Sequence, residues 1–248
     1  MMSCNKSNPA DNGNPAGGSA SMPSSSYGSF PVPPIENIGG VFGVVDAPFN
    51  IGPLVSETKA AFGGFQNSSA SPAVVLVYGG DVKVNAVSMD TLNRSIGVIY
   101  ALPKTLGGVN QPSVTFDSVS WAVFNIAGGV AGVVAFKDSV TAPKVSNVTL
   151  PAAGATLNHA NPDTVKWDTP SSSDSIMVIA TDANGHQVFK NSVVATAPYV
   201  ILTPTDLTTF SGNGLVIVMK YRYVVNLHGT KNYAFVAETV NLVNVVWN

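Results

Sequence analysis

Leu215-Val216-Ile217-Val218-Met219-Lys220-Tyr221-Arg222-Tyr223-Val224-Val225-Asn226 is followed, across His228-Gly229-Thr230, by a second run from Tyr233 to Trp247. Both runs are rich in β-branched and aromatic residues, neither contains proline, and a glycine sits between them. They read as one long antiparallel hairpin. A three-residue turn at His228-Gly229-Thr230 places Leu227 opposite Lys231, Val225 opposite Tyr233, Tyr223 opposite Phe235, Tyr221 opposite Ala237 and Lys220 opposite Glu238. One face then carries Tyr221, Tyr223, Val225, Tyr233 and Phe235, and the other Lys220, Arg222, Asn226, Asn232 and Glu238. The aromatic face is expected in the core, with the Lys220–Glu238 face in water. A two-residue turn would mix the two sets. If the aromatic face were open instead, Tyr221, Tyr223 and Tyr233 would be candidate ligand-stacking residues.

Outward from this hairpin the chain reads as all-β. In the C-terminal half the other strand-like runs are Val145 to Leu150, Thr164 to Trp167, Ser175 to Thr181, Gln187 to Val194 and Tyr199 to Leu202. Asn184-Gly185 is expected to form a two-residue turn pairing Asp182 with Gln187 and Ala180 with Phe189. In the N-terminal half they are Gly43 to Val45, Ala73 to Tyr78, Asp81 to Val87, Ser95 to Leu102, Ser113 to Phe124 and Val130 to Phe136. Tyr78-Gly79-Gly80-Asp81 reads as a tight hairpin turn, and Val55 to Phe62 as the one candidate helical turn. The expected organisation is a disordered tether over 1–34, a β-sandwich over 35–142 and a second sandwich over 143–248, divided at Ala142-Pro143. The fold class is thus two tandem antiparallel β-sandwiches.

Composition narrows the function. Lys+Arg total 12 and Asp+Glu 14, and charged residues are 10% of the 248, against about 25% in soluble domains generally. Without a basic footprint to displace counterions, nucleic acid is excluded as a partner. Mean hydropathy is +0.25, yet the apolar runs are of strand length, so no spanning helix is expected.

Candidate chemistry is sparse. His159, His186 and His228 lack ligand spacing, no Gly-x-Ser-x-Gly pentapeptide occurs, and nothing brings two acids together. No catalytic residue, metal site or cofactor is expected, and the chain reads as a non-enzyme. Trp121 and Trp167, each mid-strand between apolar neighbours, are expected in the core.

Two segments resemble known families. Met1-Met2-Ser3-Cys4, running into a Ser-, Gly-, Pro- and Asn-rich segment, resembles the lipobox of exported bacterial lipoproteins. Met1 stands where Leu is usual, and the basic and apolar parts of a signal peptide are not in the sequence. The resemblance implies lipidation at Cys4, a membrane partner through that anchor, and a place in the cell envelope, outer membrane-anchored or at the surface. Thr164-Val165-Lys166-Trp167-Asp168-Thr169-Pro170, followed by Ile176-Met177-Val178-Ile179, resembles an early strand of fibronectin type III and related Ig-like modules. It implies an Ig-like sandwich over roughly the last 105 residues.

Asp-Ser/Thr-aliphatic triplets are similar to the O-glycosylation signal of exported Bacteroidota proteins. They make Thr91, Ser118, Ser139, Thr164 and Ser175 candidate glycan carriers. Gly80-Asp81-Val82-Lys83-Val84-Asn85 also resembles lipoproteins of that group. The expected function is a non-catalytic, lipid-anchored envelope module with a glycan or protein partner. The alternatives are a carbohydrate-binding accessory protein, a glycan-active enzyme, or a subunit of an extracellular assembly.

Overall fold

A computed structural model describes residues 35–51, 54–67, 75–103, 121–168, 175–192 and 198–248. The described chain opens on β1 (Ile38–Ile51) and β2 (Leu54–Gln66), paired antiparallel from Gly40↔Phe65 to Ile51↔Leu54. The helical turn expected over 55–62 is therefore strand. Cross-strand aromatic–glycine pairs explain why. Phe42 is registered with Gly63 and Phe62 with Gly43, and a Cβ on either glycine would stand within 2.2 or 2.5 Å of the facing ring. Each ring lies over a bare glycine, a packing that a helix would destroy.

The next strands are β3 (Leu76–Val77), β4 (Val82–Val84), β5 (Val87–Ser88), β6 (Asp90–Arg94), β7 (Gly97–Leu102), β8 (Trp121–Ile126) and β9 (Phe136–Thr141). Tyr78-Gly79-Gly80-Asp81 is not a hairpin turn: β3 and β4 belong to different sheets, and these residues form the corner between them. The Tyr100 hydroxyl holds the corner, donating to Gly80 O at 2.6 Å and accepting from Gly79 N at 3.1 Å. The tight turn lies slightly later, where Asn85 (φ 45) and Ala86 (φ 68) join the registered pair Val84 and Val87. Positive φ at both central residues is the type I′ signature. The strand expected over 130–136 begins only at Phe136, because Gly128, Gly129, Ala131 and Gly132 adopt positive φ.

The C-terminal half supplies β10 (Val148–Leu150), β11 (Ala155–Leu157), β12 (Asp163–Trp167), β13 (Ser175–Asp182), β14 (Gln187–Ser192), β15 (Tyr199–Leu202), α1 (Pro204–Leu207), β16 (Gly212–His228) and β17 (Lys231–Trp247). One sheet is β10-β12-β15, and the facing one runs β14-β13-β16-β17 with β11 parallel on β17. That is the strand order of an immunoglobulin-like sandwich. Trp167, Trp247, Val178, Val216 and Phe210 fill its core. The short α1 was not expected from the sequence. Its Asp206 carboxylate accepts bonds from Thr203 N and Oγ1, both at 2.8 Å, and pairs with Lys190 at 2.7 Å.

The two halves share strands. β1 lies parallel on β17 from Ile38↔Asn232 to Asp46↔Thr239. The sheet therefore runs on as β14-β13-β16-β17-β1-β2-β3-β7-β6, across the 142/143 division. Its N-terminal part faces β5-β4-β8-β9. Phe42, Phe65, Tyr100, Phe124 and Val140 bury there together with Tyr233, Phe235 and Ala237 of β17. The upper half of the C-terminal hairpin serves one sandwich and the lower half the other.

This sharing overturns the predicted hairpin register. The turn has two residues, Gly229 (φ 63) and Thr230, with His228 opposite Lys231, a glycine placement typical of type II′. Tyr223 consequently faces Val236, Tyr221 faces Glu238 and Lys220 faces Thr239. The expectation of a solvated Lys220–Glu238 face fails as well: the two residues sit on opposite faces, 1% and 3% exposed. Tyr221 and Tyr233 are core, as expected, but in different clusters. The premise of one wet face was wrong, because a further cluster of Met177, Ile179, Met219, Tyr221 and Val236 is buried on the other side of the sheet.

The β13–β14 loop is also one residue off expectation. Thr181 pairs with Gln187, Ala180 with Val188 and Ile179 with Phe189, leaving three residues between Asp182 N and its acceptor His186 O at 3.1 Å. The Asp182 carboxylate organises this loop, accepting from Asn184 N and His186 N at 2.9 Å and Ser211 N at 3.1 Å. Gly185 remains left-handed at φ 88, and a Cβ there would meet nothing within 4 Å. Gly185→Val should therefore cost about 1–2 kcal/mol through backbone strain rather than collision. Chemical denaturation reads this directly, and a change below a few tenths would show that the loop relaxes freely.

Candidate functional site

The strand lengths create a step in the sheet. β13 begins at Ser175, which is registered with Tyr221, while β16 continues to His228. Beyond Tyr221, no described strand pairs β16 on that side. Into the step come the first residue of β8 and the end of β9, registered as Trp121↔Thr141. The result is a cleft of about 400 Å³ lined by Trp121, Val140, Thr141, Ser175, Tyr221, Arg222, Tyr223 and Val224. That is at the small end of the roughly 300–1,000 Å³ usual for ligand sites.

Trp121 corrects an expectation. It is 58% exposed, whereas Trp167 is core at 1%. In β8 the inward parity belongs to Ala122, Phe124 and Ile126, all buried. Trp121 shares the outward parity of Asn125, and that polar neighbour was the signal in the sequence. Tyr221 lies at the buried end of the cleft. Burial, partly offset by its hydrogen bond with Ser175, pushes its hydroxyl to about 12, so it stays a neutral hydrogen-bonding group at ordinary pH. The described lining combines an open indole, two tyrosine rings, two aliphatic hydroxyl residues and the Arg222 side chain. These are recognition groups.

The other polar clusters fasten the fold. Asp182 and His186 Nδ1 lie 2.8 Å apart. Burial would raise the Asp182 pKa, but the bonds from His186 and Ser211 outweigh it and hold the carboxyl at about 2. Asp138 accepts from Asn226 Nδ2 at 2.7 Å and pairs with His228 Nε2 at 2.8 Å. The His228 ring stacks on Phe136 at 4.0 Å, which pins the hairpin tip to β9. Among the described residues, no three His, Cys, Asp or Glu are grouped to hold a metal ion. No described helix is long and apolar enough to cross a membrane.

The remaining predicted positions scatter. Thr91 and Thr164 are exposed, on β6 and β12, while Ser139 and Ser175 are half-buried. Cys4 and Ser118 lie outside the described residues. Of the three tyrosines expected as stacking candidates, Tyr221 and Tyr223 line the cleft, whereas Tyr233 is buried in the N-terminal core.

No family model matches the chain, and no curated protein matches it. Among solved structures, one described as the crystal structure of DIP-gamma IG1+IG2 is similar over 81% of this chain and 98% of its own. Its identity is 7% and its TM-score 0.19. A likeness of that size carries no argument, and the fold rests on the strand order above.

Proposed function

We propose that this chain is a non-catalytic binding module of the bacterial cell envelope, lipid-anchored at Cys4, that engages a glycan or protein partner through the cleft between its sandwiches. The observation carrying this reading is Trp121, a large aromatic left open beside Arg222 and Tyr223. Exposed aromatics at the centre of a concave site are the usual anchors of recognition. The resemblance of Met1-Met2-Ser3-Cys4 to a lipobox supports the anchor.

Expression with a native upstream signal tests both parts. Cys4→Ser should move the protein from the detergent phase to the aqueous phase. Trp121→Ala should reduce its retention on isolated envelope material at least tenfold with an unchanged circular dichroism spectrum. An unprocessed, unmodified Met1 on native protein would remove the anchor, and full retention by Trp121→Ala would remove the cleft.

A second reading, a subunit of an extracellular assembly, has its own supporting observation. β1 leaves β17 after Asp46, yet β1 and β2 stay paired from Ala47↔Thr58 to Ile51↔Leu54. This two-stranded arm runs past the last β1–β17 pair and would suit contact with another subunit.

A further inference from the structure

We propose that the open edge of β15 is a self-association surface, on which a second copy of this chain pairs its own β15 antiparallel. The surface belongs with the assembly reading and is separate from both the cleft and the β1–β2 arm. Trp167 N donates to Pro198 O at 3.0 Å, so the alternation of an antiparallel ladder also turns the backbone groups of Val200 and Leu202 toward β12. The N–H and C=O groups of Tyr199 and Ile201 point the other way. No described strand pairs with β15 on that side.

Composition sets this edge apart. Charge, shortness and proline are the usual guards of a sheet edge, and the other described edges have them. β6 carries Asp90 and Arg94, β14 carries Lys190, and β9 carries Lys137 and Asp138. β5 has only 2 residues, and β10 has 3 before Pro151. β15, Tyr199-Val200-Ile201-Leu202, has neither charge nor proline, and its Tyr199 and Ile201 are 46% and 49% exposed. Both project from the outer face of the sheet, since they are registered with Lys166 and Thr164, while Val165 and Trp167 face the core. Leu150, also registered with Lys166 and 47% exposed, extends the same patch.

The edge is complementary to itself. Registered residues share a face, so a two-fold axis through Val200 sets Tyr199 against Ile201 of the second copy, in both directions. Aromatic against β-branched is a favourable cross-strand pair, and these are the two residues whose backbone groups are open. Like charges stay apart: the two Lys166 side chains are separated by three strand spacings, about 14 Å, beyond the screening length of about 10 Å. Four residues a side bury less than the roughly 800 Å² per partner of a standard interface. The contact is therefore weak between free chains and is favoured when copies are held together on one surface.

The test is sedimentation of the full chain across a wide concentration range, in a Cys4→Ser background that removes the lone thiol. A reversible monomer–dimer equilibrium is expected. Ile201→Lys should weaken it at least tenfold with an unchanged circular dichroism spectrum, whereas Thr91→Lys on the charged edge β6 should leave it unchanged. Tyr199→Cys and Ile201→Cys chains, mixed under a mild oxidant, should link to each other more than to themselves. Preferential linking of like with like would overturn the register. A monomer at every concentration would overturn the proposal. A dimer indifferent to Ile201→Lys would overturn it too, but would leave the assembly reading standing on another surface. A monomer whose envelope retention falls with Ile201→Lys would give the edge to a different partner and overturn the second copy.

Discussion

Residues 35–142, expressed alone, should not fold. The fragment keeps β1 to β9 but loses β17, which supplies Tyr233, Phe235 and Ala237 to its core, each at most 1% exposed. Phe235 stacks on Phe42 at 6.1 Å and lies 5.3 Å from Phe124. Removing one such side chain typically costs about 3–5 kcal/mol. Removing Tyr233 and Phe235, together with the strand that pairs β1 from Ile38 to Asp46, is comparable to the roughly 5–15 kcal/mol by which whole domains are stable. The exposed β1 edge would then favour aggregation. The amide spectrum of the fragment should be undispersed, and the full chain should unfold in a single transition. Phe235→Ala in the full chain isolates one contribution, with an expected loss of about 3–5 kcal/mol. A fragment with a dispersed spectrum and a cooperative melt would show that the first sandwich stands without the shared hairpin.

Glu238→Gln should make the protein more resistant to alkaline destabilisation. Glu238 lies on β17 opposite Tyr221, 3% exposed, and its Oε1 has no hydrogen-bond partner. Burial pushes its carboxyl from 4.5 up to about 8. Because the folded-state value exceeds the unfolded one, the folded state is not penalised below about pH 4.5. As pH rises the unfolded chain ionises freely while the folded chain cannot, so stability is lost through that window and levels off above about pH 8. At about 1.4 kcal/mol per unit the loss has a ceiling of about 5 kcal/mol. The glutamine variant lacks this titration. The gap between the two proteins should therefore widen from pH 5 to pH 8, read as denaturation midpoints at several pH values. Parallel pH profiles would show that Glu238 is hydrated or paired.

Some local signals in the sequence were sound, the turns were mostly misread, and the long-range pairings left no local trace. Tyr199 to Leu202 emerges with the expected bounds, since a short apolar run between Pro198 and a Pro-containing segment specifies itself. Asn85-Ala86 escaped because alanine rarely adopts positive φ, and the Asn85 side chain supports the turn by accepting Val123 N at 2.8 Å. The parallel pairing of β1 with β17 joins residues almost two hundred positions apart, which no window of sequence can show. That pairing in turn explains the misread register. Alternation sorts faces only when one face is wet, and this hairpin is buried on both. The cleft was missed with it, because Trp121 was read by its neighbours' hydropathy rather than by its parity with Asn125.

The parallel seam between β1 and β17 also has a mechanical meaning. Both strands run the same way, so β1 enters the seam at Ile38 at one end, while β17 leaves it after Thr239 at the other and continues to Trp247. Tension applied between a segment before β1 and one after β17 loads the seam lengthwise, in shear. The hydrogen bonds along it then bear the load together instead of peeling one at a time. A chain held at its N-terminus and drawn from its other end by a bound partner would load this junction along its length.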